Sequence, residues 1–190
     1  MLADGSTNKA EALLLSCMDL RMIDETAWLM GELKLLNKYD HIAVAGASLG
    51  VLTASFKEKG KRDATDIRHF GKTFWTHIDL AIALHEIERV VIVEHADCGA
   101  YKHFLQSGVL EGHGGSVVKP PRDASLAKKT EDLGVEYHQH MWYANALGDA
   151  VRAAYGNVYE PEGTKGRGLE VDMYMVTPWR NLKKLGLMKP

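Results

Sequence analysis

Cysteine is scarce in this chain, with two thiols, Cys17 and Cys98, among 190 residues. So few exclude a disulfide framework and leave metal binding or catalysis as the informative roles for them. Charge of one sign is lacking too: 23 basic side chains face 25 acidic ones. A protein that grips nucleic acid or anionic membrane carries a basic patch or stripe, so neither partner is expected. Long apolar runs are missing, and none approaches the roughly 20 residues of a bilayer span. The opening Met1-Leu2-Ala3-Asp4-Gly5 has neither the basic nor the apolar region of a secretory signal. A soluble, cytoplasmic protein is expected. Internal repeats and low-complexity tracts are also absent. The length is that of about one domain, residues 1–190, large enough to bury roughly 70% of its unfolded surface without a staple.

What is present alternates short apolar runs with amphipathic stretches, the pattern of an α/β domain with a mostly parallel sheet of four or five strands flanked by helices. Ala12 to Ser16 is a continuous apolar run suited to a strand buried on both faces. Asp24 reads as the N-cap of a helix reaching about Lys38, with Trp28, Leu29, Leu33 and Leu36 on its stripe. A second strand is expected over His41 to Ala45, ending in the small-residue turn Gly46-Ala47-Ser48-Leu49-Gly50. The charged stretch Lys57 to Arg68 reads as a surface loop or insertion. A helix follows from about Thr73 to Glu88, with Ile78, Ile82 and Leu84 inward. Val90-Val91-Ile92-Val93 is the clearest strand, a β-branched run within Arg89 to Glu94. Four glycines and two prolines between Ser107 and Asp123 predict a second long loop, Glu136 to Tyr155 a last helix, and Glu170 to Val176 a late strand.

Two short motifs fall at the C-terminal ends of predicted strands, where open α/β sheets place their ligands. They are Cys17-Met18-Asp19-Leu20-Arg21 and His95-Ala96-Asp97-Cys98. Thiolate and imidazole are preferred zinc ligands, and a catalytic zinc keeps three protein ligands and one exchangeable position. Cys17, His95 and Cys98 meet that count. Read as an extended segment, Cys17, Asp19 and Arg21 project to one side, because strand side chains alternate. A carboxylate held by a guanidinium stays ionised and can accept a hydrogen bond from a metal-bound water. An ordinary surface Asp–Arg pair is the competing reading, and it would contribute little.

Cys17-x-Asp19-x-Arg21 followed by His95-x-x-Cys98-Gly99 resembles the signature of the β-class carbonic anhydrases. The resemblance covers most of the chain. It implies zinc held by Cys17, His95 and Cys98, with Asp19 and Arg21 as the catalytic pair. Asp19 would either orient the water through Arg21 or swing in as a fourth ligand. The implied reaction is reversible hydration of carbon dioxide to bicarbonate by zinc-bound hydroxide. That family is built from dimers, which implies a homodimer or higher homo-oligomer. One segment departs from it. Where the family has an Arg-Asn-Ala-Gly-Asn type sequence, this chain reads Ala43-Val44-Ala45-Gly46-Ala47.

Other readings stay open at this point. The more apolar Ala43–Ala47 segment would suit a hydrolase of carbon disulfide or carbonyl sulfide, and a closed four-ligand site would suit a non-catalytic zinc protein. Gly46-x-Ser48-x-Gly50 fits a nucleophile elbow, with Ser48 attacking, but a turn needing small residues is the better account. His85, His103, His113, His138 and His140 read as helix-surface or loop histidines. Tyr101 and Lys102 are expected near the site entrance.

Overall fold

The computed structural model describes residues 9–53, 68–106, 134–158, 168–176 and 182–184. The predicted loops over 57–67 and 107–123 lie outside the described residues.

Strand β1 (Ala12–Cys17) is the expected apolar run, one residue longer. Leu13 and Leu15 enter one core with Phe74 and Ile78, while Ala12 and Leu14 enter another with Leu29 and Met30. A strand covered on both faces has no polar face to show, hence the unbroken apolar sequence. β3 (Arg89–His95) divides the same way, Val90 and Ile92 to the first core and Val91 and Val93 to the second. β2 (Tyr39–Val44) alternates between buried and accessible positions, as an edge strand does. The sheet order is β2-β1-β3-β4-β5, with β4 spanning Glu170–Val176 and β5 spanning Leu182–Lys184. The first four strands are parallel, and β5 runs antiparallel to β4.

Helix α1 (Ile23–Glu32) covers one face of the sheet. The other face carries α3 (Arg68–His85) and α5 (Gly134–Ala154). Between β2 and α3 lies the short α2 (Ser48–Leu52). After β1 the chain builds outward to β2, then returns to place β3 on the other side of β1. Neighbouring connections therefore diverge above the ends of β1 and β3, opening a crevice there.

Several expectations are corrected. Asp24 is not an N-cap but sits inside the first turn of α1, which a 3-10 turn, Leu20–Met22, precedes. The helix stops at Glu32 rather than Lys38, because Lys34 and Asn37 adopt positive φ. Leu36 consequently leaves the stripe and lies exposed, and Leu35 is buried instead. Leu84 on α3 is 67% exposed, whereas Ile78 is buried as expected.

Candidate metal centre

β1 ends on Cys17 and β3 ends on His95, so the central parallel pair delivers both to the crevice. A tight turn follows, in which Asp97 takes φ 59°, a left-handed conformation that aspartate tolerates better than most residues. That turn brings Cys98 back as the N-cap of α4 (Gly99–Tyr101), which continues into a π-helical turn, Lys102–Gln106. Ligand atoms of Cys17, His95 and Cys98 all lie within 4.8 Å of one another. The two sulfurs are 3.9 Å apart. Two sulfurs each about 2.3 Å from a tetrahedral zinc would stand about 3.8 Å apart, so the spacing suits the ion.

The histidine is oriented to match. His95 Nδ1 lies 3.0 Å from the Ala96 carbonyl, to which it can only donate, leaving Nε2 with the lone pair. Nε2 is buried with no hydrogen-bond partner. A buried ring nitrogen left in that state is costly unless something binds it. The donor set and the orphaned nitrogen together fit a zinc ion. Among the described residues this is the one such group of three.

Electrostatics favour anionic sulfur. The Cys17 thiol is lowered to about 4 by the hydrogen bond from Cys98, with His95 and the Gly46 amide at 3.4 Å adding to it. Cys98 is correspondingly raised, since its proton is the one shared. Burial works against a charged His95, but hydrogen bonding and attraction to Cys17 raise it on balance.

Asp19 and Arg21 meet, though not as an extended segment. Asp19 caps the 3-10 turn, accepting from the Arg21 amide at 3.0 Å, and the guanidinium folds back onto the carboxylate at 3.0 and 2.7 Å. Arg21 also donates to Asp97, to its carboxylate at 2.8 Å and its carbonyl at 2.9 Å. Lys102 completes this rim by pairing with Asp97. The hydrogen bond from Arg21 lowers Asp19 to about 2, and Lys102 followed by Arg21 lowers Asp97 to about 2. One Asp19 oxygen stands 3.9 Å from His95 Nε2, close to the ligand atoms yet tied to Arg21. A cleft of about 410 Å³ opens beside the site, lined by Cys17, Met18, Asp19, Ile23, His41 and Ala43 among others.

Beneath the site lies a second polar group that the sequence reading missed. Glu94 is only 1% exposed, accepting from the Ser48 amide at 3.0 Å and pairing with His140 Nδ1 at 2.8 Å. His140 is therefore no surface histidine; it is 0% exposed. Glu136 accepts from the Cys98 amide at 3.0 Å and lies 3.7 Å from His140 Nε2. The available signal was a carboxylate at the end of the apolar run Val90–Val93, a place that demands a partner. Tyr101 is also buried, its ring tilted against that of His140, rather than standing at an entrance. Lys102 is exposed on the rim. The Ser48 hydroxyl is buried and meets no base among the described residues.

A search of solved structures finds this arrangement of strands and helices again. The β-carbonic anhydrase CafA of Aspergillus fumigatus matches 96% of this chain and 78% of its own, with TM-score 0.53 and 16% identity. The fold is that of the β-carbonic anhydrases. A tetrameric enzyme of that class from Sordaria macrospora gives TM-score 0.52 at 15% identity, over 95% of this chain and 82% of its own. The Coccomyxa β-carbonic anhydrase gives 0.50 at 16%, over 99% and 76%. No family model matches. By sequence the chain is similar to uncharacterized proteins of Rickettsia bellii, 36% identical over 98 residues, and Rickettsia conorii, 37% identical over 95. Those matches cover 52% and 50% of this chain, and it spans about half the length of these relatives, 53% and 45%. Among the described residues, no helix is long and apolar enough to cross a membrane.

Proposed function

We propose that this protein catalyses the reversible hydration of carbon dioxide to bicarbonate, with one zinc held by Cys17, His95 and Cys98. The observation that carries the proposal is the convergence of those ligand atoms within 4.8 Å beside a carboxylate locked by an arginine. A zinc ion held by Cys17, His95 and Cys98 would supply a nucleophile at neutral pH by lowering the pKa of bound water toward about 7. The rest falls to the chain. Asp19, kept ionised by Arg21, would accept a hydrogen bond from that nucleophile and orient it toward the substrate carbon. Arg21 keeps Asp19 from turning toward the ligands, since Asp97 anchors the guanidinium from its other side. The cleft lined by Ala43 and Met18 admits a small apolar gas and leads outgoing protons to solvent water or buffer.

Three ligand atoms, with the one carboxylate that could become a fourth restrained by Arg21, support an open, catalytic site over a closed structural one. Nothing favours carbon disulfide or carbonyl sulfide over carbon dioxide. Met18, Leu20 and Ile23 lie exposed around the site, an apolar surface that supports a homo-oligomer, at least a dimer. The free thiols suit a reducing cytoplasm.

Metal analysis paired with stopped-flow carbon dioxide hydration tests the proposal. One zinc per chain with hydration is expected. Folded protein that takes up no zinc would sink the ligand assignment, and zinc without hydration would sink the reaction. Light scattering on the same sample reads the oligomeric state.

A further inference from the structure

The proposed mechanism makes no use of two polar side chains buried under the site, Glu94 and His140, nor of the half-buried Glu136 beside them. Glu94 precedes His95 directly, and Glu136 holds the amide of Cys98. Between them stands His140, its Nδ1 hydrogen-bonded to Glu94 Oε2 at 2.8 Å and its Nε2, which makes no hydrogen bond, within ion-pair range of Glu136 Oε1 at 3.7 Å. One imidazole thus links the residue behind the first half of the His95–Cys98 motif to the residue that fastens the second. Both contacts to it come from elements already fixed by the sheet: Glu94 lies on β3, and Glu136 and His140 share one face of α5 at a spacing of four. Tyr101 closes the arrangement, its ring 3.6 Å from that of His140 between centroids.

Burying such a group is expensive. An apolar trio of similar volume would usually serve stability as well or better. What an apolar trio cannot do is receive the Cys98 amide or fix the rotation of the turn that carries both ligands. Groups that orient metal ligands from behind govern affinity strongly, and their removal typically weakens binding about 10–100-fold.

We propose that the buried pair Glu94 and His140, together with the half-buried Glu136, forms a clamp through which α5 positions His95 and Cys98 for the metal. These are positioning residues, and the inference rests on the assignment of Cys17, His95 and Cys98 as zinc ligands. It does not depend on the reaction.

The test measures zinc affinity by competition with a chromophoric chelator and records the thiolate-to-cobalt charge-transfer band of the cobalt-loaded protein. Circular dichroism of the metal-free proteins confirms that those compared are folded. Glu136→Ala, which removes the acceptor for the Cys98 amide, is expected to weaken zinc about 10–100-fold and shift the cobalt band. Glu136→Gln keeps an oxygen acceptor and should recover most of the affinity. His140→Asn keeps a donor toward Glu94 but loses the link to Glu136, and should fall between the two; it carries the comparison if Glu136→Ala does not fold. Folded variants that bind zinc within about twofold of wild type, with an unchanged cobalt band, overturn the clamp alone. So does a Glu136→Gln variant no better than Glu136→Ala. Wild-type protein that binds no zinc overturns the ligand assignment and the clamp together.

Discussion

Carboxylates and bases meet on two sides of this centre under opposite conditions. On the rim, Asp19, Arg21, Asp97 and Lys102 form a cluster open to water, with Arg21, Asp97 and Lys102 each about half exposed. Beneath, Glu94 and His140 pair out of solvent contact entirely. Water screens the first cluster, so its value lies in where it holds Asp19 and little in what it adds to stability. The second cluster has no screen, and each member is costly without the other. Similar chemistry therefore does different work on either side of Cys17, His95 and Cys98.

This contrast can be tested from its strongest point downward. Cys17→Ser and Cys98→Ser should reduce bound zinc to background, measured by metal analysis, because serine replaces a preferred ligand with a poor one. His140→Leu leaves Glu94 without its base and should lower unfolding free energy by about 3–5 kcal/mol in urea titrations of the metal-free protein. If stability were unchanged, the floor would be no more coupled than the rim. Asp19→Ala should retain zinc and lose about a hundredfold in kcat/KM for carbon dioxide hydration. Lys102→Ala, by contrast, should leave the urea midpoint where it is. The smallest effect concerns acid. Asp19 sits near 2, below its ordinary 3.8, so its contribution to stability is complete above about pH 4 and lost as pH falls toward 2. Arg21→Gln should flatten that loss in acid-unfolding curves. A curve identical to wild type would mean that the rim pair is not what depresses Asp19.

Much of the fold was legible because burial on both faces leaves its mark on sequence. β4 falls where its alternation put it, and β1 and β3 each extend one residue past prediction to end on Cys17 and His95. The places of Cys17 and His95 were legible for the same reason, since strand ends carry them, and Cys98 follows His95 by a single turn. Helix boundaries were not. The stop after Glu32 depends on Lys34 and Asn37 entering left-handed conformations; asparagine favours that region, but lysine does not announce it. The Asp19–Arg21 contact was expected, but its geometry comes from a capped 3-10 turn that alternation cannot describe. His140 escaped notice because helical spacing says which residues share a face and nothing about what the face meets. Its partner Glu94 belongs to a distant strand, and only the packing of α5 on the sheet joins them.

The Cys17 and Cys98 sulfurs, 3.9 Å apart in space, are separated by 81 positions along the chain. A metal assigned to both cannot be grasped by any short fragment, because closing so long a loop has an entropic cost that β1–β3 pairing must meet first. Capture of the ion is on this account a late event in folding. Zinc present from the start of refolding should leave the folding rate nearly unchanged, while the loaded protein unfolds far more slowly than the metal-free one. The ion would act as a latch on a sheet already assembled, setting the lifetime of the native state and leaving the route to it alone.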